Sequence, residues 1–365
     1  MLIRRVLTPG RPSNRLLRIG LGALALAVSL VALGDLLRGY PFAVDLEIAL
    51  RAADRWMSGG QPYLADAFTK GSGYELPFLY PPYALPLFAP LATLDRSIAW
   101  TAWFVAVLLV AILTCRRLGI PLRWMPAVLV WPPFAEGILS GNVQVFIFAA
   151  FVALLVGRGE ATARDDRRPA GPWLRGLLIA VTTFLKVSQP HVLVNAARWE
   201  RRAAAVAVVA VALLALASVA FMGTGVWFDW IDQLRRAADP DWALGGPSLS
   251  HRLPAPLGPL IVVGCLAAVL AVPKASAAAW VGVLLVLGAT SLHTYYLLFL
   301  LPAMLRIRLE IALLAVLLIA TYTEPSWWAA IAIVTGALAL SRAQPGLLEE
   351  RRGTPPGELE VPATA

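Results

Sequence analysis

The chain has 365 residues, of which 59% are hydrophobic and 15% charged, with a mean hydropathy of +0.72. A soluble domain runs nearer 45–50% apolar and about 25% charged, so this composition excludes a water-soluble globule and points to a polytopic membrane protein. The 31 Lys+Arg against 22 Asp+Glu give a net charge of +9, but the basic residues cluster at the ends of apolar runs, which suits loop bias at a membrane rather than nucleic-acid binding.

Apolar runs long enough to cross a bilayer, or nearly so, are expected at 16–33, 98–114, 124–139, 142–157, 203–222, 257–272, 276–290, 294–305, 309–321 and 327–341. The stretch LLIAVTTFLKVSQPHVLVNAA, between Trp173 and Arg198, is interrupted by Lys186, Gln189 and Pro190. Breaking it there into two short helices puts 22 of the 31 basic residues on one side, from Arg4 through Arg116, Arg175 and Arg198 to Arg352. That reading gives an all-α bundle of 11 or 12 membrane helices with both termini cytoplasmic. Residues 1–15 form a cytoplasmic segment, 16–341 a single membrane domain and 342–365 a flexible tail. Two long outer segments lie near 34–97 and 223–256. The Arg-rich start, apolar run and Ala32-x-Gly34 imitate a signal peptide, but the run is long for one and is expected to be retained.

In the first outer segment, Leu46, Ala49, Leu50, Ala53 and Trp56 recur at helical spacing and predict an amphipathic helix lying in the membrane interface, with Asp45 at its start where a carboxylate suits an N-cap. Tyr40, Phe42, Trp56, Tyr63, Phe68, Tyr74, Phe78, Tyr80 and Tyr83 read as an aromatic belt at headgroup depth, with substrate stacking as the alternative.

The order of these residues resembles a known family. Asp45 shortly after the first span, SGGQPYL at 58–64, PFLYPPYALPLFAPLATL at 77–94, GNVQVFIFAAFVALL at 141–155, FLKVSQPHVLV at 184–194 and SLHTYYLLFLLPAML at 291–305 look like glycosyltransferase family 87 of the GT-C superfamily. The resemblance implies a GT-C-type fold and an inverting glycosyltransferase. Its donor would be a polyprenyl phosphate sugar, mannose before arabinofuranose, and the family's essential Asp of the first outer loop maps onto Asp45. The chain departs from the family pattern at Leu46 and Ile48, where aromatic residues are common, and at Ser291-Leu292-His293, where Ser-Trp-x-His is usual.

The residues themselves suit that chemistry. There is no Gly-x-Gly-x-x-Gly opening a βα unit and no Walker loop for a nucleotide sugar. An inverting transfer needs one base to take the acceptor hydroxyl's proton; Asp45 is the first candidate and Glu47, on another helix face, the second. A lipid phosphate leaving group calls for preorganised cations, and Lys186 at the helix break and Arg252 in GGPSLSHRLP are the candidates. His251, His293, Tyr80, Asn142 and Gln144 are candidates for positioning substrate, with Glu136 at a neighbouring span end.

No cofactor or metal is expected. His191, His251 and His293 are scattered, and Asp239 and Asp241 in ADPDW read as turn residues. Cys115 and Cys265 are not placed for a disulfide. The expected partners are the lipid-linked sugar, a glycolipid or cell-envelope glycan acceptor and membrane lipids, at a plasma-membrane site facing outward, with no nucleic acid. A secondary transporter or a non-catalytic scaffold of envelope assembly remains the alternative.

Overall fold

The computed structural model describes residues 13–39, 42–63, 76–156, 171–186, 189–237 and 246–341. Tyr40, Phe68, Tyr74, Asp239, Asp241, the tail 342–365 and most of the segment 1–15 lie outside the described residues. Within them the chain is helical, with no strand. Three helices are long and apolar enough to cross a membrane: α1 (Ser13–Gly39), α4 (Arg96–Arg117) and α10 (Arg201–Met222). Their outer faces carry Leu16, Ile19, Leu109, Leu213 and Phe221, all more than half exposed. In water such surfaces would associate; in lipid they face their own kind.

The other apolar helices are shorter, and most of them contribute to the interior. They are α3 (Leu85–Ala92), α7 (Gln144–Leu155), α8 (Pro172–Phe184), α13 (Leu257–Val269), α14 (Ala277–Leu287), α16 (Leu309–Ala320) and α17 (Glu324–Leu340), with the 3-10 run Thr294–Leu300 leading into α15 (Leu301–Met304). At about 1.5 Å per residue, 12 or 13 residues reach only about 20 Å. The interior centres on Phe134, Phe148, Phe151 and Phe299, all fully buried, with the last three rings packing edge to face or stacked at 5.0 to 6.3 Å. α8 lies along α10, α16 against α1, and α7 between α4 and α8.

Proline decides where the runs break. The expected span 124–139 is two helices, α5 (Met125–Leu129) and α6 (Pro132–Leu139), because Pro132 and Pro133 supply no amide hydrogen to continue the first. The run at 174–197 does break as its sequence suggested: α8 stops at Phe184, and Pro190 precedes α9 (His191–Trp199). Across the break, Gln189 N donates to Lys186 O at 3.1 Å. Downstream of α10 lie α11 (Gly225–Ala237) and the single turn α12 (Leu249–Arg252).

Two expectations for the first outer segment are corrected. Helix α2 (Val44–Met57) forms, but its apolar stripe does not face lipid: Leu46, Ala49, Leu50, Ala52 and Ala53 are buried, and the helix packs on α3. A protein partner occupies the stripe that an interface would otherwise take. Of the expected aromatic belt, Tyr63, Phe78 and Tyr80 instead join a core cluster, while Phe42 stays exposed. Tyr63 and Phe78 are buried, and Phe78, Tyr80, Phe88, Trp103 and Phe146 follow one another at 5.2 to 6.4 Å. The Tyr63 hydroxyl donates to Tyr80 O at 2.8 Å, tying this cluster to the loop at 76–80.

Candidate active site

One tight turn, residues 139–142, holds the start of α2. Ala43 N donates to Leu139 O at 2.7 Å, and Asp45 N and Leu46 N donate to Ser140 O at 2.8 and 3.3 Å. The turn is sharp enough to need φ +71° at Gly141, and a side chain there would meet Leu46 Cβ at 2.9 Å. Trp103 Nε1 donates to Gly141 O at 2.8 Å and pins it from α4. Ala43, itself at φ 56°, occupies the N-cap position. The expected N-cap role of Asp45 is therefore corrected: it lies within the first turn of α2, and its carboxylate is directed elsewhere.

That carboxylate meets Asn142, whose Nδ2 donates to Asp45 Oδ2 at 2.8 Å. Asn142 Oδ1 accepts from Gln144 N at 2.8 Å and from Lys186 Nζ at 3.1 Å. Lys186 arrives from the break between α8 and α9, and its ammonium lies over the rings of Tyr295 and Tyr296, 4.8 and 5.4 Å from their centroids. His293 stacks on Tyr295 at 5.4 Å. Gln189 Nε2 donates to Gln144 Oε1 at 3.2 Å; Gln144 Nε2 and Gln189 Oε1, both buried, have no partner among the described residues. Asp45 and Lys186 are partly exposed, whereas the Asn142 between them is buried. Two opposite charges thus sit on either side of a buried amide.

Tyr80 and Glu136 are near enough to Asp45 to feel its charge. Burial pushes the Tyr80 phenol well above its ordinary range, with Asp45 and Tyr296 adding to the effect, so it stays a neutral donor. Glu136 is buried and accepts hydrogen bonds from Tyr322 and Thr294. Gln189, Tyr295 and Tyr296 join the site without having been singled out as candidates. The only sequence signal for them was polarity beside a helix break and an aromatic pair beside a histidine.

Other candidates lie apart from this group. Glu47 points away into ion pairs with Arg51 at 2.8 Å and Arg96 at 3.7 Å, and accepts from Trp100 Nε1 at 3.3 Å. Arg252 is exposed and ion-paired with Glu324 at the start of α17. His251, beside it on α12, has a buried Nε2 with no partner among the described residues. The segment 246–252 is fastened to the strand of chain leading into His293: Ser250 Oγ donates to Ala289 O at 2.9 Å and Ser248 Oγ to Thr290 O at 3.2 Å. Among the described residues, no three His, Cys, Asp or Glu side chains gather as a metal site.

Comparison with known proteins points the same way. Two curated relatives, from Mycolicibacterium smegmatis and Mycobacterium tuberculosis, are both polyprenol-phosphate-mannose-dependent alpha-(1-2)-phosphatidylinositol mannoside mannosyltransferases. The first is 29% identical over 178 residues, covering 42% of this chain and 38% of its own; the second is 25% identical over 219 residues, covering 53% and 49%. The chain thus spans less than half the length of either relative. No solved structure matches it. The family model for glycosyltransferase family 87 matches residues 78–294, which takes in Tyr80, Asn142, Gln144, Lys186, His251, Arg252 and His293 but not Asp45. That match covers more than half of the sequence and takes in the 139–142 turn and the helix break at Lys186, ending just before Tyr295 and Tyr296, and the chain belongs to glycosyltransferase family 87.

Proposed function

We propose that this protein transfers a sugar, mannose first and arabinofuranose second, from a polyprenyl phosphate to a hydroxyl of a glycolipid or cell-envelope glycan. The observation that carries the reading is a carboxylate and an ammonium held on either side of one buried amide, Asn142. Asp45 takes the proton of the acceptor hydroxyl as that oxygen forms a bond to the anomeric carbon. The bond from that carbon to the phosphate oxygen breaks at the opposite face, so the configuration inverts. The polyprenyl phosphate leaves with the bonding electrons, and the proton stays on Asp45. Lys186 faces the charge that grows on the phosphate, in a setting where a fixed cation acts more strongly than in water.

Gln144 Nε2 and Gln189 Oε1, buried and without a partner among the described residues, suit sugar hydroxyls; Tyr80 is close enough to Asp45 to feel its charge, and His293 stacks on Tyr295. The lipid chain of the donor lies in the bilayer, among helices whose outer faces are apolar. The site opens on the outer face of the plasma membrane with both termini cytoplasmic, as the basic-residue bias favours. The relatives' polyprenol-phosphate-mannose donor supports mannose, and their phosphatidylinositol mannoside acceptor supports a glycolipid.

The test is transfer in liposomes from radiolabelled polyprenyl-phosphate mannose to an envelope-lipid extract. Asp45→Asn keeps size and hydrogen bonding but takes no proton, and is expected to slow transfer by about 10²–10⁴. Equal transfer by both proteins would remove Asp45 as base. Transfer from neither mannose nor arabinofuranose donors by wild type would remove the enzymatic reading.

A further inference from the structure

The two charged groups of the site sit close together without touching, and the reason is one buried side chain. Asn142 Oδ1 receives two hydrogen bonds, one from Gln144 N and one from Lys186 Nζ. A backbone N–H and an ammonium only donate, so the amide is held in one of its two orientations and must turn Nδ2 toward Asp45, which accepts at 2.8 Å. The main chain holds Asn142 in turn: its N donates to Gly137 O at 3.0 Å, in the same 139–142 turn that fastens the start of α2.

Resting on the catalytic reading above, we propose that Asn142 is a positioning residue that insulates Asp45 from Lys186, keeping the carboxylate out of an ion pair and free to take the acceptor hydroxyl's proton, and the ammonium available for the departing phosphate. A direct Asp45–Lys186 ion pair in this partly buried place would satisfy each charge with the other. The carboxylate would become a weaker base and the cation less free for phosphate. The amide avoids this by offering its oxygen to the cation and its N–H to the anion. The rings of Tyr295 and Tyr296 hold the ammonium on its other side.

Among the described residues, the other titratable groups near Asp45 are Tyr80, Tyr295 and Glu136. The two tyrosines are neutral, and Glu136 is engaged by Tyr322 and Thr294. On its own helix Glu47 turns away to Arg51 and Arg96. Lys186 is thus the cation that Asn142 has to keep apart from Asp45.

The experiment measures transfer in liposomes from pH 4.5 to 9 for wild type, Asn142→Asp and Asn142→Ala, with Asp45→Asn alongside. Each variant is checked for a wild-type elution profile and melting temperature. Asn142→Asp sets a second carboxylate against Asp45; kcat is expected to fall about 10–100-fold and the acid limb of the rate profile to move up by about one pH unit or more. Asn142→Ala lets the charges meet; the acid limb is expected to move down and the donor KM to rise about tenfold, and adding Lys186→Gln is expected to restore the limb. A turn residue with no electrostatic role would change the yield of folded protein and leave limb and KM in place.

If Asp45→Asn abolishes transfer while folded Asn142→Ala keeps the wild-type limb and KM, the insulating role is refuted and the base assignment stands. If Asp45→Asn transfers normally, the base assignment falls and the insulating role with it. Should Asn142→Asp fail to fold, Asn142→Ala and its Lys186→Gln double variant decide the matter by themselves.

Discussion

Gly141→Ala tests how the site is built. Gly141 sits at φ +71°, a backbone conformation that costs an L side chain about 1–2 kcal/mol. Its new Cβ would lie 2.9 Å from Leu46 Cβ and 3.4 Å from the Trp103 ring. Leu46 Cβ is fixed to the backbone of a fully packed helix and cannot swing aside, so overpacking adds about 1–3 kcal/mol. The whole effect is about 2–5 kcal/mol if the turn holds, or less if the turn shifts by a few tenths of an ångström. The shift has its own consequence, because Ser140 O anchors Asp45 N and the next residue, Asn142, holds the Asp45 carboxylate. Misplacement by 1 Å costs about 10²-fold in rate, so a smaller displacement is expected to cost about tenfold. Gly119 is the control: its φ is +78° with nothing within 4 Å of a built Cβ, so Gly119→Ala carries the backbone cost alone. Thermal aggregation in detergent and single-turnover transfer are measured on both variants. If Gly141→Ala matches Gly119→Ala in both, the turn does not position Asp45 and the reasoning is wrong.

Lys186→Gln removes a charge-assisted contact worth about 1.5–3 kcal/mol, so the donor term in kcat/KM is expected to fall about 10–100-fold with the fold intact by elution profile. Arg252→Ala removes only an exposed pair with Glu324; stability is expected to change by less than about 1 kcal/mol and transfer by less than threefold, measured in the same assay. Glu200→Ala leaves Arg175, about a quarter exposed and also donating to Leu154 O, without its carboxylate at the joint of α8, α9 and α10. It is expected to destabilise by about 1–2 kcal/mol, read as a lower melting temperature. Gly282→Ala puts a Cβ 2.1 Å from Phe299 O, backbone against backbone, and should separate α14 from the 3-10 run that carries Tyr295 and Tyr296. Loss of monodisperse protein is the expected result.

The class of protein, the helical fold and the family were all legible in the sequence, and each for a local reason. Bilayer burial requires apolar runs, so composition alone gave the membrane assignment, and a proline with a lysine inside an apolar run marked the break between α8 and α9. The family pattern named Asp45, the break inside an apolar run named Lys186, and the polar residues at a run's end named Asn142 and Gln144. What these residues do to one another was not legible. Asp45 and Asn142 are 97 residues apart and Asn142 and Lys186 44 apart, and no periodicity relates them. Periodicity says that α2 has an apolar face; it is silent on whether lipid or protein covers it, since both are apolar solvents. The tertiary structure covered it with protein, turned Glu47 toward arginines and drew Tyr63 and Phe78 into the core. It also brought the carboxylate, the amide and the ammonium into line. Apolar patterning reports what each segment needs to bury, but a hydrogen-bonded site depends on which backbones approach which, and only the packed bundle decides that.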